Sequence, residues 1–136
     1  MTLDDITTRH TSRQGALLPI LHDVQAAFGY VSEDAMRAIA AALNLTRAEV
    51  YGVVSFYHDF RQSPDPRPSI KLCRAEACQA RGVDALVAAL PDDHRVNIQA
   101  VYCLGLCAVG PAALIGDAVH ARLDVQKTSA LIASVL

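Results

Sequence analysis

Cys73-Arg74-Ala75-Glu76-Ala77-Cys78 and Cys103-Leu104-Gly105-Leu106-Cys107 hold every cysteine of the chain. Four residues separate the first pair, three the second, and 24 lie between the pairs. Folding can bring two such short-range pairs together and gather four thiolates there. That suits a centre with four cysteine ligands, either an iron–sulfur cluster or zinc. A [2Fe–2S] cluster takes two thiolates on each iron, so two pairs on two loops match its shape. Zinc draws on pairs with two to four residues between them, and both spacings fall in that range. Four cysteines also allow three disulfide connectivities, although a cytosolic thiol pool would keep them reduced. Free thiols would pack as small hydrophobes, which does not explain their confinement to two tight pairs. Spacing alone places iron–sulfur ahead of zinc, with disulfides and free thiols behind.

The neighbours of the second pair are apolar or small: Leu104, Gly105, Leu106, Ala108, Val109 and Gly110. A wall of low polarity suits a redox cluster, whose potential depends on solvent exposure and on hydrogen bonds to sulfur. Gly105 lies between two candidate ligands, where a side chain could keep backbone N–H groups from sulfur. For both Gly105 and Gly110 the plain alternative is turn chemistry.

Composition narrows the rest. The chain has 136 residues, 52% of them hydrophobic, and a net charge of −2, as expected of an ordinary folded, soluble protein. No basic patch of the size nucleic acid requires is present, and no apolar run reaches membrane-spanning length. The opening Met1-Thr2-Leu3-Asp4-Asp5 lacks the layout of a secretory signal, so a cytoplasmic protein without direct membrane contact is expected. With 5% aromatic residues and no tryptophan, a large aromatic ligand pocket is not expected.

Upstream of the cysteines the apolar spacing is helical. Residues 1–15 offer only Leu3 and Ile6 as anchors, giving a short helix or a frayed arm broken at Gly15. Leu17, Ile20, Leu21, Val24, Ala27 and Phe28 define a helix over 16–28, closed by Gly29. Ser32 caps a helix over 33–43 that ends at Asn44. Thr46-Arg47-Ala48-Glu49 is a capping box, and Val50, Val53, Val54 and Tyr57 supply the buried face of the helix it starts. Three short helices make a small bundle over 1–62. Pro64, Pro66 and Pro68 then interrupt any helix.

Beyond them, over 68–136, the period changes. Ser69-Ile70-Lys71-Leu72 alternates into Cys73, and Val96–Val101 alternates towards Cys103. A helix over 79–90 separates these strands. Ala112–Ile115 and Ala118–His120 form a hairpin through Gly116-Asp117. Asp124 caps a last helix whose apolar residues include Val125, Leu131, Ile132 and Val135. The expected fold is α/β, a helical bundle followed by a small sheet with helices. Each cysteine pair lies just past a strand end, where function usually sits.

The order of these elements, with Val53-Val54-Ser55-Phe56-Tyr57 and Tyr102-Cys103-Leu104-Gly105-Leu106-Cys107-Ala108-Val109-Gly110-Pro111, resembles the thioredoxin-like [2Fe–2S] ferredoxin family. That family includes the 24-kDa subunit of respiratory complex I. The resemblance spans about Gly15 to the C-terminus. It implies a thioredoxin-like domain with a small mixed sheet, and a [2Fe–2S] cluster held by Cys73, Cys78, Cys103 and Cys107. Three segments look most like the gamma subunit of NAD-dependent, molybdenum-containing formate dehydrogenases. They are Gly15–His22, Phe56–Arg61 and Cys73–Gln79. This implies a subunit of an oxidoreductase that works beside a partner carrying FMN and NAD, and beside another carrying the molybdenum cofactor. Complex I and NAD-linked hydrogenases use the same type of subunit.

Within such a role, Arg74 and Arg81 are candidate cations near the cluster, although exposed charges are commonplace. The chain has no Gly-rich dinucleotide fingerprint, no phosphate loop and no nucleophile–base pair, so no catalytic residue is expected on it. The five histidines are scattered and none pairs with a cysteine, which disfavours a Rieske-type centre. His58 reads as a packing or surface residue. An electron must leave, so one edge of the cluster loop should face another subunit. Leu18, off the main apolar face, is a second candidate contact. The competing class is a zinc-stabilised interaction module without redox activity.

Overall fold

The computed structural model describes residues 1–136. The chain divides into two compact units, Met1–Asp65 and Pro66–Leu136.

The first unit is entirely helical: α1 (Leu3–His10), α2 (Leu17–Phe28), α3 (Glu33–Leu43) and α4 (Arg47–Phe56). The N-terminal arm is thus a true helix, a fourth beside the three expected. Thr2 and Asp5 form a reciprocal capping box at its start, and Ile6 is fully buried. α2 and α3 end where Gly29 and Asn44 adopt left-handed conformations, at φ 83° and 55°. Ser32 caps α3 through the N–H of Ala35, and Thr46 and Glu49 cap each other at α4. Ile20, Leu21, Val24, Met36, Ile39, Val50, Val54 and Phe60 build the core of this unit.

Several expected core positions lie outside it. Ala27 and Phe28 are exposed in the last turn of α2, which runs past the core. Tyr57 is 43% exposed because the helix stops at Phe56 and its backbone is extended. Leu18 instead packs, half-buried, against the core, which removes it as a free contact residue.

The second unit carries a four-stranded mixed sheet in the order β2-β1-β3-β4. The strands are β1 (Ser69–Cys73), β2 (Asn97–Val101), β3 (Ala113–Ile115) and β4 (Ala118–His120). β1 and β2 are parallel, with Ser69 opposite Asn97 and Cys73 opposite Val101. β3 runs antiparallel to β1, and β3 and β4 form the hairpin through Gly116-Asp117. A parallel pair needs a crossover, and α5 (Glu76–Ala80) and α6 (Val83–Ala89) supply it.

One helix was expected over 79–90. The chain forms two because Gly82 turns left-handed, at φ +95°, between them. Glycine adopts that conformation at no steric cost. The apolar spacing belongs to α6, with Val83 and Leu86 buried, and the earlier start of α5 takes Cys78 into a helix. α7 (Val125–Val135) is capped by Asp124, which accepts the Lys127 N–H at 2.7 Å. Ile132 faces the core, whereas Val125 lies exposed in the first turn. Ile70, Leu72, Val83, Leu86, Val96, Ala113 and Ile132 form this second core. No helix of either unit is long and apolar enough to cross a membrane.

Candidate metal centre

The parallel register builds the centre. Because Cys73 pairs with Val101, the C-terminal ends of β1 and β2 lie side by side. The Arg74 N–H donates to the Val101 carbonyl at 2.8 Å, holding the two exits together. Two residues beyond β2 the backbone of Cys103 turns left-handed, at φ 77°. Its N–H then donates to Cys73 Sγ at 3.3 Å. One sequence-distant pair of cysteines is thereby delivered to the other.

Each ligand candidate sits on a different piece of structure. Cys73 ends β1 and Cys78 lies in α5, and both are buried, at 2% and 3% exposure. Cys103 follows β2, and Cys107 opens a single 3₁₀ turn (Cys107–Val109) that packs on α5. These two are exposed, with their sulfurs 3.6 Å apart. The four thiols therefore form an inner pair and an outer pair.

Backbone amides point at the sulfurs. The N–H groups of Ala75, Cys103 and Leu104 converge on Cys73. Burial works to raise that thiol, but these donors and the Cys78 thiol outweigh it and hold Cys73 below the ordinary thiol value. Cys78 is pushed up, first by burial and then by the neighbouring Cys73, with the Ala112 N–H acting against them. Cys107 is pushed up chiefly by its contact with Cys103. Four thiols at such proximity cannot all ionise cheaply unless a cation balances them.

The donor set bears on which metal centre fits. All four donors are sulfur, two per side. Two cysteine pairs on two loops match a two-iron cluster, in which each iron takes two thiolates. Three of the five histidines have partners of their own: His10 bonds Asp23 at 2.6 Å, His22 packs on Phe60, and His94 sits 3.6 Å from Asp92.

The two glycines divide: Gly105 fits the turn chemistry expected of either, and Gly110 does not. Apart from its chain neighbours, a Cβ on Gly105 meets nothing within 4 Å; its φ of +79° is what favours glycine there. Gly110 has an ordinary φ of −66°, but a Cβ on it would lie 2.9 Å from Cys78 Sγ. Close approach to the Cys78 sulfur, and not turn geometry, explains Gly110. Spacing gave no signal for it.

The family model of thioredoxin-like [2Fe–2S] ferredoxins matches residues 3–136. The chain belongs to that family. It is 30% identical to the NADP-reducing hydrogenase subunit HndA of Solidesulfovibrio fructosivorans, over 89% of this chain and 77% of that protein. With a subunit of the NADH-quinone oxidoreductase of Rhizobium meliloti it shares 27% identity, over 97% and 85% respectively. The fold is similar to part of an NAD+-reducing [NiFe]-hydrogenase solved in the H2-reduced state, with a TM-score of 0.65 and 27% identity. That likeness covers 85% of this chain but 22% of the solved one.

Proposed function

We propose that Cys73, Cys78, Cys103 and Cys107 hold one [2Fe–2S] cluster, and that the chain is an electron-transfer subunit of a cytoplasmic NAD-linked oxidoreductase. The observation that carries this reading is the convergence of an inner and an outer cysteine pair, with an amide from one loop bonded to a sulfur of the other. Bound there, such a cluster supplies one-electron transfer without proton or group chemistry. The chain's own residues hold and insulate it. Cys73 and Cys78 close the inner side, and the amides of Ala75, Cys103 and Leu104 stabilise negative charge on sulfur. From Val101 to Ile115 no residue is charged, so the exposed outer pair sits on an uncharged lip. An electron entering or leaving there crosses less protein than through the buried side.

The family relationship supports a reading of the partners. Its named relatives work in hydrogenases and quinone oxidoreductases that use NADP or NADH. We place the chain beside a flavin- and NAD-binding subunit, with catalysis on a further subunit. For the host complex we propose a formate dehydrogenase with a molybdenum-containing subunit, supported by the segments Gly15–His22, Phe56–Arg61 and Cys73–Gln79. A hydrogenase or complex I host is the second reading, favoured by the relatives themselves.

Two experiments test these levels separately. Cys103→Ser is expected to lose the red-brown colour and iron while keeping its secondary structure; a variant with normal iron and spectrum contradicts the ligand set. Affinity purification from the native cell, followed by mass spectrometry, should recover a flavin subunit and a molybdenum subunit. Recovery with nickel–iron or quinone-reducing subunits overturns the formate dehydrogenase assignment and leaves the cluster assignment intact.

A further inference from the structure

Arg74 and Arg81 both lie near the cysteine pairs, and their surroundings differ. Arg74 donates through Nε and Nη2 to the same oxygen of Asp84, at 3.2 and 2.6 Å. Its charge is therefore largely balanced by a neighbour. No carboxylate pairs with Arg81, and its side chain donates to no acceptor. Its backbone N–H closes α5 on the Ala77 carbonyl at 3.1 Å.

The stem of Arg81 runs along the wall of the centre. One point in space, the position of a Cβ on Gly110, is 3.3 Å from Arg81 Cδ and 2.9 Å from Cys78 Sγ. Stem, glycine and inner sulfur are thus neighbours, and the stem carries the guanidinium beside the centre. α5 has five residues, so charge at its end has little helix dipole to act on.

We propose that Arg81 is the cation that raises the reduction potential of the centre. This rests on the cluster reading above. Uptake of one electron, supplied by a reduced flavin or by dithionite, adds one negative charge to a pocket of four thiolates. No bond forms or breaks, and no proton moves. A cation alongside lowers the free energy of that extra charge. Arg81 is exposed, so part of the effect is screened, with a Debye length of ~10 Å at 0.1 M salt. Arg74 contributes less because its field is cancelled by Asp84.

The test is an optical redox titration of the anaerobically reconstituted full chain, with dithionite as reductant. Arg81→Gln should keep the iron content and visible spectrum while its potential shifts downwards. Arg81→Lys should stay close to the parent, and Arg74→Gln should shift less than Arg81→Gln. Added salt should move the parent towards the Arg81→Gln value and move that variant little. An Arg81→Gln potential equal to the parent's, with full iron, overturns the proposal. So does an Arg81→Lys chain that falls as far as Arg81→Gln, since shape and not charge would then matter. Loss of iron in both variants assigns Arg81 a structural role and also overturns it. A parent chain that takes up no iron fails at the earlier, cluster-binding level, which this comparison of variants does not enter.

Discussion

At the residue scale, the two glycines around Cys107 make opposite predictions. Gly110→Ala must displace Cys78 Sγ or shift its own loop, because its Cβ would come within 2.9 Å of the sulfur. Iron content should fall while far-UV circular dichroism stays at the parent level. Gly105→Ala faces open space but an unfavourable φ of +79°, which costs about 1–2 kcal/mol. Its midpoint in urea should drop with the iron content preserved. Equal iron loss in both variants would contradict this division. The four cysteines stood out in the sequence, because two tight pairs have few uses other than holding a metal centre. The role of Gly110 did not, since it depends on a sulfur 32 positions earlier that only the folded chain brings near.

At the element scale, the helix ends were the most readable feature, since capping needs particular side chains at fixed offsets. Ser32, Thr46 and Asp124 each accept the backbone N–H expected of them. Thr46→Ala removes the Thr46 hydroxyl from the Glu49 N–H and should cost about 1 kcal/mol in chemical denaturation. A variant as stable as the parent would show that the box adds nothing to α4. The same caps set a pH dependence. Thr2 holds Asp5 below the ordinary carboxylate value through its backbone N–H and hydroxyl, and Thr46 does the same for Glu49. His10 lowers Asp23, and Arg47 lowers Glu33, in each case chiefly by a side-chain hydrogen bond. These groups bind protons less readily folded than unfolded. Their stabilisation is complete above the ordinary carboxylate range and is lost as pH falls through the lowered values. The melting temperature of the helical unit should fall between pH 5 and pH 2; a flat or rising profile contradicts it. The break between α5 and α6 escaped sequence reading because the apolar spacing of α6 alone already looks like a helix. Only the left-handed turn at Gly82 separates the two.

At the scale of the whole molecule, the change from helical to alternating spacing around three prolines marks two kinds of structure. The two hydrophobic cores share no residue: one is drawn from Ile6–Phe60 and the other from Ile70–Ile132. Ile39→Ala, at a fully buried site of the first core, should cost about 2–5 kcal/mol. Ellipticity should then be lost in part before the visible band bleaches, and simultaneous loss at one midpoint would contradict two separate cores. The strand order was not readable in advance, because strand spacing fixes faces and not neighbours. Yet that order does the decisive thing: it sets β1 and β2 parallel, so that Cys73 and Cys103 leave the sheet at the same end. What those sulfurs hold is therefore the central question. Metal and labile-sulfide analysis of the anaerobically prepared chain measures it most directly. It should return iron and sulfide in equal amounts, about two of each per chain, while a single zinc, or no metal at all, would contradict it.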